Sequence, residues 1–92
     1  MEKAEAVIAD VGQRVAEIRR ERGWTQQDFA DRLKMEPQSI QRIERGTNLT
    51  IRSLVRVARV LGVATITLFE PPMARARRPG RPRKGSATPP SG

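Results

Sequence analysis

Apolar residues recur along the first two thirds of the chain at the three- and four-residue spacing of a helix face, and short polar breaks divide them into segments. Val7, Val11, Val15 and Ile18 make the first stripe. Arg20, Glu21 and Arg22 close it and Gly23 follows, which predicts a helix stop with Trp24 folded back on the helix. Its start is open: Asp10 with Gln13 three residues on offers a cap, and Ala4 to Ala9 equally extends the helix upstream. Gly12, inside the pattern, weakens an unbroken helix by roughly 1 kcal/mol relative to Ala. Thr25 with Asp28 reads as the cap of a second helix whose inward face is Phe29, Ala30 and Leu33. Pro37 suits the first turn of a third helix, with Ile40 and Ile43 inward and Arg45-Gly46 at its end. Thr50 caps a fourth, with an expected buried stripe of Ile51, Leu54, Val55, Ala58 and Leu61 and a stop at Gly62. Arg52, Arg56 and Arg59 fall on its outer side and read as a solvated face. The segment 64–69 is ambiguous, because its β-branched run disfavours helix and suits an edge strand.

This pattern predicts an all-α fold: a compact domain of four to five helices over residues 11–70, preceded by an N-terminal extension, 1–10, that is itself compatible with helix. At 92 residues, 37% hydrophobic and 3% aromatic, the chain has room for one modest core. It contains neither Cys nor His, which removes thiolates, imidazole bases and the usual zinc ligands. No set of acid–base groups on a shared concave face emerges either, so no catalytic residue, metal or cofactor is expected and an enzyme is the least supported class. No apolar run is long enough to cross a bilayer, and MEKAEAVIAD lacks the basic flank and apolar centre of a secretory signal. A cytoplasmic location without membrane partners is the resulting expectation.

Charge changes the picture. The net charge is +8, but residues 1–70 carry twelve Lys or Arg against ten Asp or Glu, whereas residues 71–92 carry six basic residues and no acidic one. Six of the seven prolines also lie in that tail, beginning at the Glu70-Pro71-Pro72 step. Such a segment has too little apolar surface to offset its ordering entropy, so it is expected to be disordered when free. A polyanion is the partner this layout favours.

The second and third helices are separated only by Lys34-Met35-Glu36, which forces a steep crossing, a helix-turn-helix if the latter helix protrudes. Its outward positions are Gln38, Ser39, Gln41, Arg42 and Arg45, all able to donate hydrogen bonds and none acidic. Gln pairs bidentately with adenine and Arg with guanine in the major groove of double-stranded DNA. Gln26, at the start of the second helix, is placed to hold the phosphate backbone, which sets register without reading sequence.

The stretch GQRVAEIRRERGWTQQDFADRLKMEPQSIQRIERG, followed by SLVRVARVLGV, resembles the lambda-repressor-like, Xre/Cro-type helix-turn-helix family over about residues 11–70. The elements R-x-x-R-G-x-[ST]-Q from Arg19, a small residue at Ala30 and I-x-x-I-E-R-G from Ile40 occur in order. The resemblance implies a five-helix domain that binds operator DNA as a homodimer, with a bacterial or phage source. It implies a buried ion pair of Arg19 with Glu44, base contacts from Pro37, Gln38 and Arg42, and phosphate contacts from Gln26, Thr47 and Asn48, to which the outward reading adds Ser39 and Gln41 at bases and Arg45 at phosphate. Three positions depart from the family pattern: Lys34 stands where glycine is usual in the turn, Pro37 offers a base only apolar contact, and Thr65 and Thr67 replace stronger helix formers in the fifth helix.

In the tail, residues 77–84 resemble an AT-hook, although Pro79 precedes the glycine where arginine is usual. Arg78, Gly80, Arg81, Pro82, Arg83 and Lys84 would then lie along a narrow minor groove. The functional expectation is a sequence-specific transcriptional regulator. The alternatives are a nucleoid-type architectural protein driven by its tail, and an antitoxin or adaptor that uses the domain on a protein partner. No small-molecule ligand is expected.

Overall fold

The computed structural model describes residues 3–47 and 49–73. Four α-helices follow one another, α1 (Ala4–Glu21), α2 (Gln26–Leu33), α3 (Pro37–Arg45) and α4 (Ile51–Leu61), and a 3₁₀ helix (Thr65–Phe69) ends the domain. No strand occurs among the described residues.

Of the two starts open to α1, the upstream one is observed. Alanines at 4, 6 and 9 favour helix, and Glu5 complements the positive helix end, so the described part of the N-terminal extension is continuous with α1. Helix α2 begins with a complete capping box: the Asp28 amide donates to the Thr25 hydroxyl at 3.0 Å and the Thr25 amide donates to the Asp28 carboxylate at 2.9 Å. The latter bond, helped by the Thr25 side chain and the nearby Arg32 charge, holds the Asp28 carboxyl below the ordinary value of 3.8. The box is therefore fully formed above that value and is lost as acid protonates Asp28 through its lowered folded value.

Between α2 and α3, Lys34 adopts the left-handed conformation at φ 58° and ψ 48°. The Met35 amide donates back to the Ala30 carbonyl at 2.9 Å, Met35 rests against the core, and Pro37 opens α3. The left-handed turn lets α3 leave so soon after α2, and a Cβ in that conformation costs about 1–2 kcal/mol. Lys34→Gly removes this strain but frees the unfolded chain, so the expected net gain is about 0.5–1 kcal/mol, read as a higher melting temperature.

The core takes Val11, Val15 and Ile18 from α1, Phe29, Ala30 and Leu33 from α2, and Ile40 and Ile43 from α3. On α4 the buried stripe is Leu54, Val57, Ala58 and Leu61. The expectation for Ile51 and Val55 is corrected here: Ile51 is 68% exposed and Val55 39%. The helix is rotated about its axis so that Val57, not Val55, faces the other helices. The segment 64–69 is neither strand nor α-helix. With Leu68 as its single buried anchor and Pro71-Pro72 just beyond, it closes as one tight 3₁₀ turn on α1 and α4.

Arginines that look solvated in sequence close helix ends. Arg56 Nη2 donates to the Leu33 carbonyl at 2.7 Å, at the end of α2, so Arg56 is more than part of a solvated face. Arg22 reaches the Leu61 carbonyl at the end of α4 through Nε (3.0 Å) and Nη2 (2.8 Å). These carbonyls lack partners within their own helices, and a guanidinium satisfies them with the favourable sign of charge. Arg52 and Arg59 are exposed, as expected.

Candidate nucleic-acid interface

Helix α3 is buried along one side only. Ile40 and Ile43 enter the core, while Gln38, Gln41, Arg42 and Arg45 are exposed and Pro37 and Ser39 half-buried at the flank. The exposed side thus carries two amides and two guanidiniums. Beyond the helix, Thr47 is exposed, and both its amide (2.9 Å) and its hydroxyl (3.1 Å) donate to the Arg42 carbonyl, holding the chain against the end of α3. Asn48 and the tail positions Arg78, Gly80, Arg81, Pro82, Arg83 and Lys84 lie outside the described residues.

What fixes α3 is a network beneath it. Arg19 Nε donates to Glu44 Oε2 at 2.6 Å and Nη2 to Oε1 at 3.1 Å, with both side chains only 9% exposed. The third guanidinium nitrogen, Nη1, donates to the Trp24 carbonyl at 2.8 Å, so the pair also ties down the α1–α2 connection. Gln26 Nε2 donates to Glu44 Oε1 at 2.9 Å. That contact was not legible in the sequence. It commits part of the Gln26 amide to the interior, so Gln26 joins the start of α2 to the end of α3 as well as standing half-buried at the rim. Every polar atom of the Glu44 carboxylate is thereby engaged, which offsets part of the cost of burying it.

The close seating of α3 on α1 depends on Gly12. A Cβ there would stand 2.6 Å from the Glu44 carbonyl oxygen and 2.7 Å from that of Ile43, both backbone atoms. Gly46, at φ 80°, ends α3 and passes so near Ala9 that its own Cβ would lie 2.9 Å from the Ala9 Cα. The sequence shows Gly12 only as a weak helix former; its use is an approach of two helix backbones that no side chain permits.

Exposed α3 is the ridge between two grooves. On one flank lie Lys34, Ser39, Arg42 and Ser53, against α4; on the other lie Gln13, Arg20, Gln41 and Arg45, against α1. Trp24, expected to pack rather than to stack on a ligand, lies 6.1 Å from the Phe29 ring and under the Arg32 guanidinium at 4.2 Å. Among the described residues no group of three or more acidic side chains could hold a metal ion, and no helix is long and apolar enough to cross a membrane.

A short α2, a tight left-handed turn and a protruding α3 with donor side chains define a helix-turn-helix domain built to meet DNA. The helix-turn-helix family model matches residues 15–68, more than half of the chain, and the protein belongs to that family of DNA-binding transcriptional regulators, in its lambda-repressor-like, Xre-type form. Among solved structures it is similar to a hypothetical transcription factor from Neisseria, at 23% identity and a TM-score of 0.69 over 84% of this chain and 90% of that one. It is also similar to the restriction-modification controller protein C.AhdI from Aeromonas hydrophila, at 26% identity and a TM-score of 0.65 over 70% of this chain and 98% of that one. No curated protein matches the sequence.

Proposed function

We propose that the chain is a sequence-specific regulator that binds a two-fold operator as a homodimer, with α3 of each protomer in successive major grooves. The observation that carries this reading is the exposed face of α3, on which Gln38, Gln41 and Arg42 point donors outward from a helix held by the Arg19–Glu44 pair. Amide and guanidinium tips at that spacing suit adenine and guanine edges. Ser39 and Pro37, half-buried at the flank, contribute contact at the groove edge, while Gln26, Arg45, Thr47 and Asn48 serve the phosphates.

A second copy is favoured by apolar surface that the domain leaves uncovered. Ile66 is 74% exposed, and Phe69 and Met73, beyond it, are also exposed. Side chains of this kind gain by burial against an identical surface, about 25 cal/mol per Å² of apolar area. Both similar solved structures are regulators matched over most of their own length, which supports a role exercised through this domain, as in a restriction-modification controller. The tail is read as an auxiliary minor-groove arm. Its support is a strap before it: Pro72 is buried, Glu70 lies 3.3 Å from Arg14 Nη2, and the Met73 amide donates to Glu17 Oε1 at 2.9 Å. The six-cation segment therefore starts from a fixed point on α1. A cytoplasmic, nucleoid-associated site of action follows from this reading.

The test is selection of bound duplexes from random DNA with the intact chain and with the Gln38→Ala/Arg42→Ala variant. A two-fold consensus with the intact chain is expected. The variant should lose discrimination by about 1–3 kcal/mol at each contacted base pair. An identical consensus from both would refute major-groove reading by α3.

A further inference from the structure

We propose that the groove between α1 and α3 seats the sugar-phosphate backbone of one DNA strand, with Arg20 as a phosphate contact alongside Arg45. The proposal rests on the double-stranded-DNA reading and adds to it a residue on α1 that no helix-turn-helix pattern in the sequence singles out.

The groove gathers Arg20 of α1, Gln26 of α2, and Gln41 and Arg45 of α3. Arg20 and Arg45 are exposed, and neither makes an ion pair among the described residues. Two unneutralised guanidiniums therefore line one concave strip. The acidic groups near it are already engaged. Glu44, which also borders the groove, has both oxygens taken by Arg19 and Gln26. Glu17, one turn from Gln13 and Arg20 on α1, turns its Oε1 to Arg14 Nη1 and to the Met73 amide. What remains toward solvent is a row of positive charge and amide donors over the small side chain of Ala16.

That row runs beside the helix that would enter the major groove. A helix so placed has a backbone strand along each flank, and a flank of unpaired cations matches the strand's regular negative charge. Phosphate neutralisation of this kind adds affinity for any sequence and deepens the salt dependence, without changing which bases are preferred.

Full-length chain and its Arg20→Gln, Arg45→Gln and double variants would be titrated across a range of salt on two equal-length duplexes. One is the duplex selected by the intact chain, the other a mixed-sequence duplex. Arg59→Gln, an exposed cation on α4, controls for loss of net charge, and a thermal melt confirms that each variant folds. The expected result is a slope of log affinity against log salt that is shallower by about 0.9 for each groove arginine removed. Affinity should fall by the same factor on both duplexes, with the slope of Arg59→Gln unchanged. A slope unaltered by Arg20→Gln, or reduced equally by Arg59→Gln, overturns the groove. If Gln38→Ala/Arg42→Ala still abolishes preference for the selected duplex, only the groove has fallen. If that variant keeps the preference, the reading of α3 itself has failed.

Discussion

Replacing Glu44 with Ala is expected to cost about 3–5 kcal/mol, because it leaves the Arg19 guanidinium buried without its countercharge. A domain of this size has a total stability of only several kcal/mol, so the variant should be largely unfolded or melt far below the parent. Arg19 keeps one partner, the Trp24 carbonyl, and Gln26 loses its acceptor as well. The cause can be separated from simple loss of packing. A chain carrying Arg19→Met together with Glu44→Leu should recover much of the stability, since an apolar pair of similar volume has no charge to strand. Chemical denaturation of the two single variants and the double variant checks this. A melting temperature for Glu44→Ala equal to the parent's would show that the pair contributes nothing to holding α3.

Gly12→Ala should also destabilise the domain, by about 1–3 kcal/mol, although Gly to Ala inside an ordinary helix stabilises it by about 1 kcal/mol. The sign reverses because the added methyl meets the backbone carbonyls of Ile43 and Glu44, and neither can move without shifting α3. The displacement should reach function too. A shift of α3 on α1 stretches the 2.6 Å Arg19–Glu44 contact and re-aims Gln38 and Arg42, so DNA affinity should fall more than the loss of folded fraction explains. Equilibrium unfolding, with binding measured on the folded population, distinguishes the two effects. A variant as stable as the parent would mean that the helices do not approach as closely as the distances indicate.

The parts of this domain that were legible in sequence are the local ones. The capping box at Thr25 and Asp28, the proline that opens α3 and the stripes on α1 and α2 each depend on residues within one or two turns. The left-handed turn at Lys34 belongs with them, because a three-residue link between two helices leaves little else. The Arg19–Glu44 pair came from family resemblance, since nothing local connects residues 25 apart. Where a choice between neighbouring faces was needed, pattern was insufficient. On α4 the sets 51, 54, 55, 58 and 54, 57, 58, 61 both have helical spacing, and only contact with the other elements selects the latter. In the same way, nothing in the string distinguishes Arg56 and Arg22, which close helix ends, from Arg59, which is exposed.

By itself, then, the order of residues determined where helices begin and end, which face of α3 carries amides and guanidiniums, and that cations accumulate after residue 70. These follow from backbone preference, side-chain periodicity and charge, all short-range or additive. The tertiary structure alone decided how near α3 comes to α1, which arginines are spent on carbonyls, that Gln26 is drawn to Glu44, and that Arg20 and Arg45 share a groove. Those outcomes depend on distances between segments far apart in the chain, set only when the core closes and excludes water.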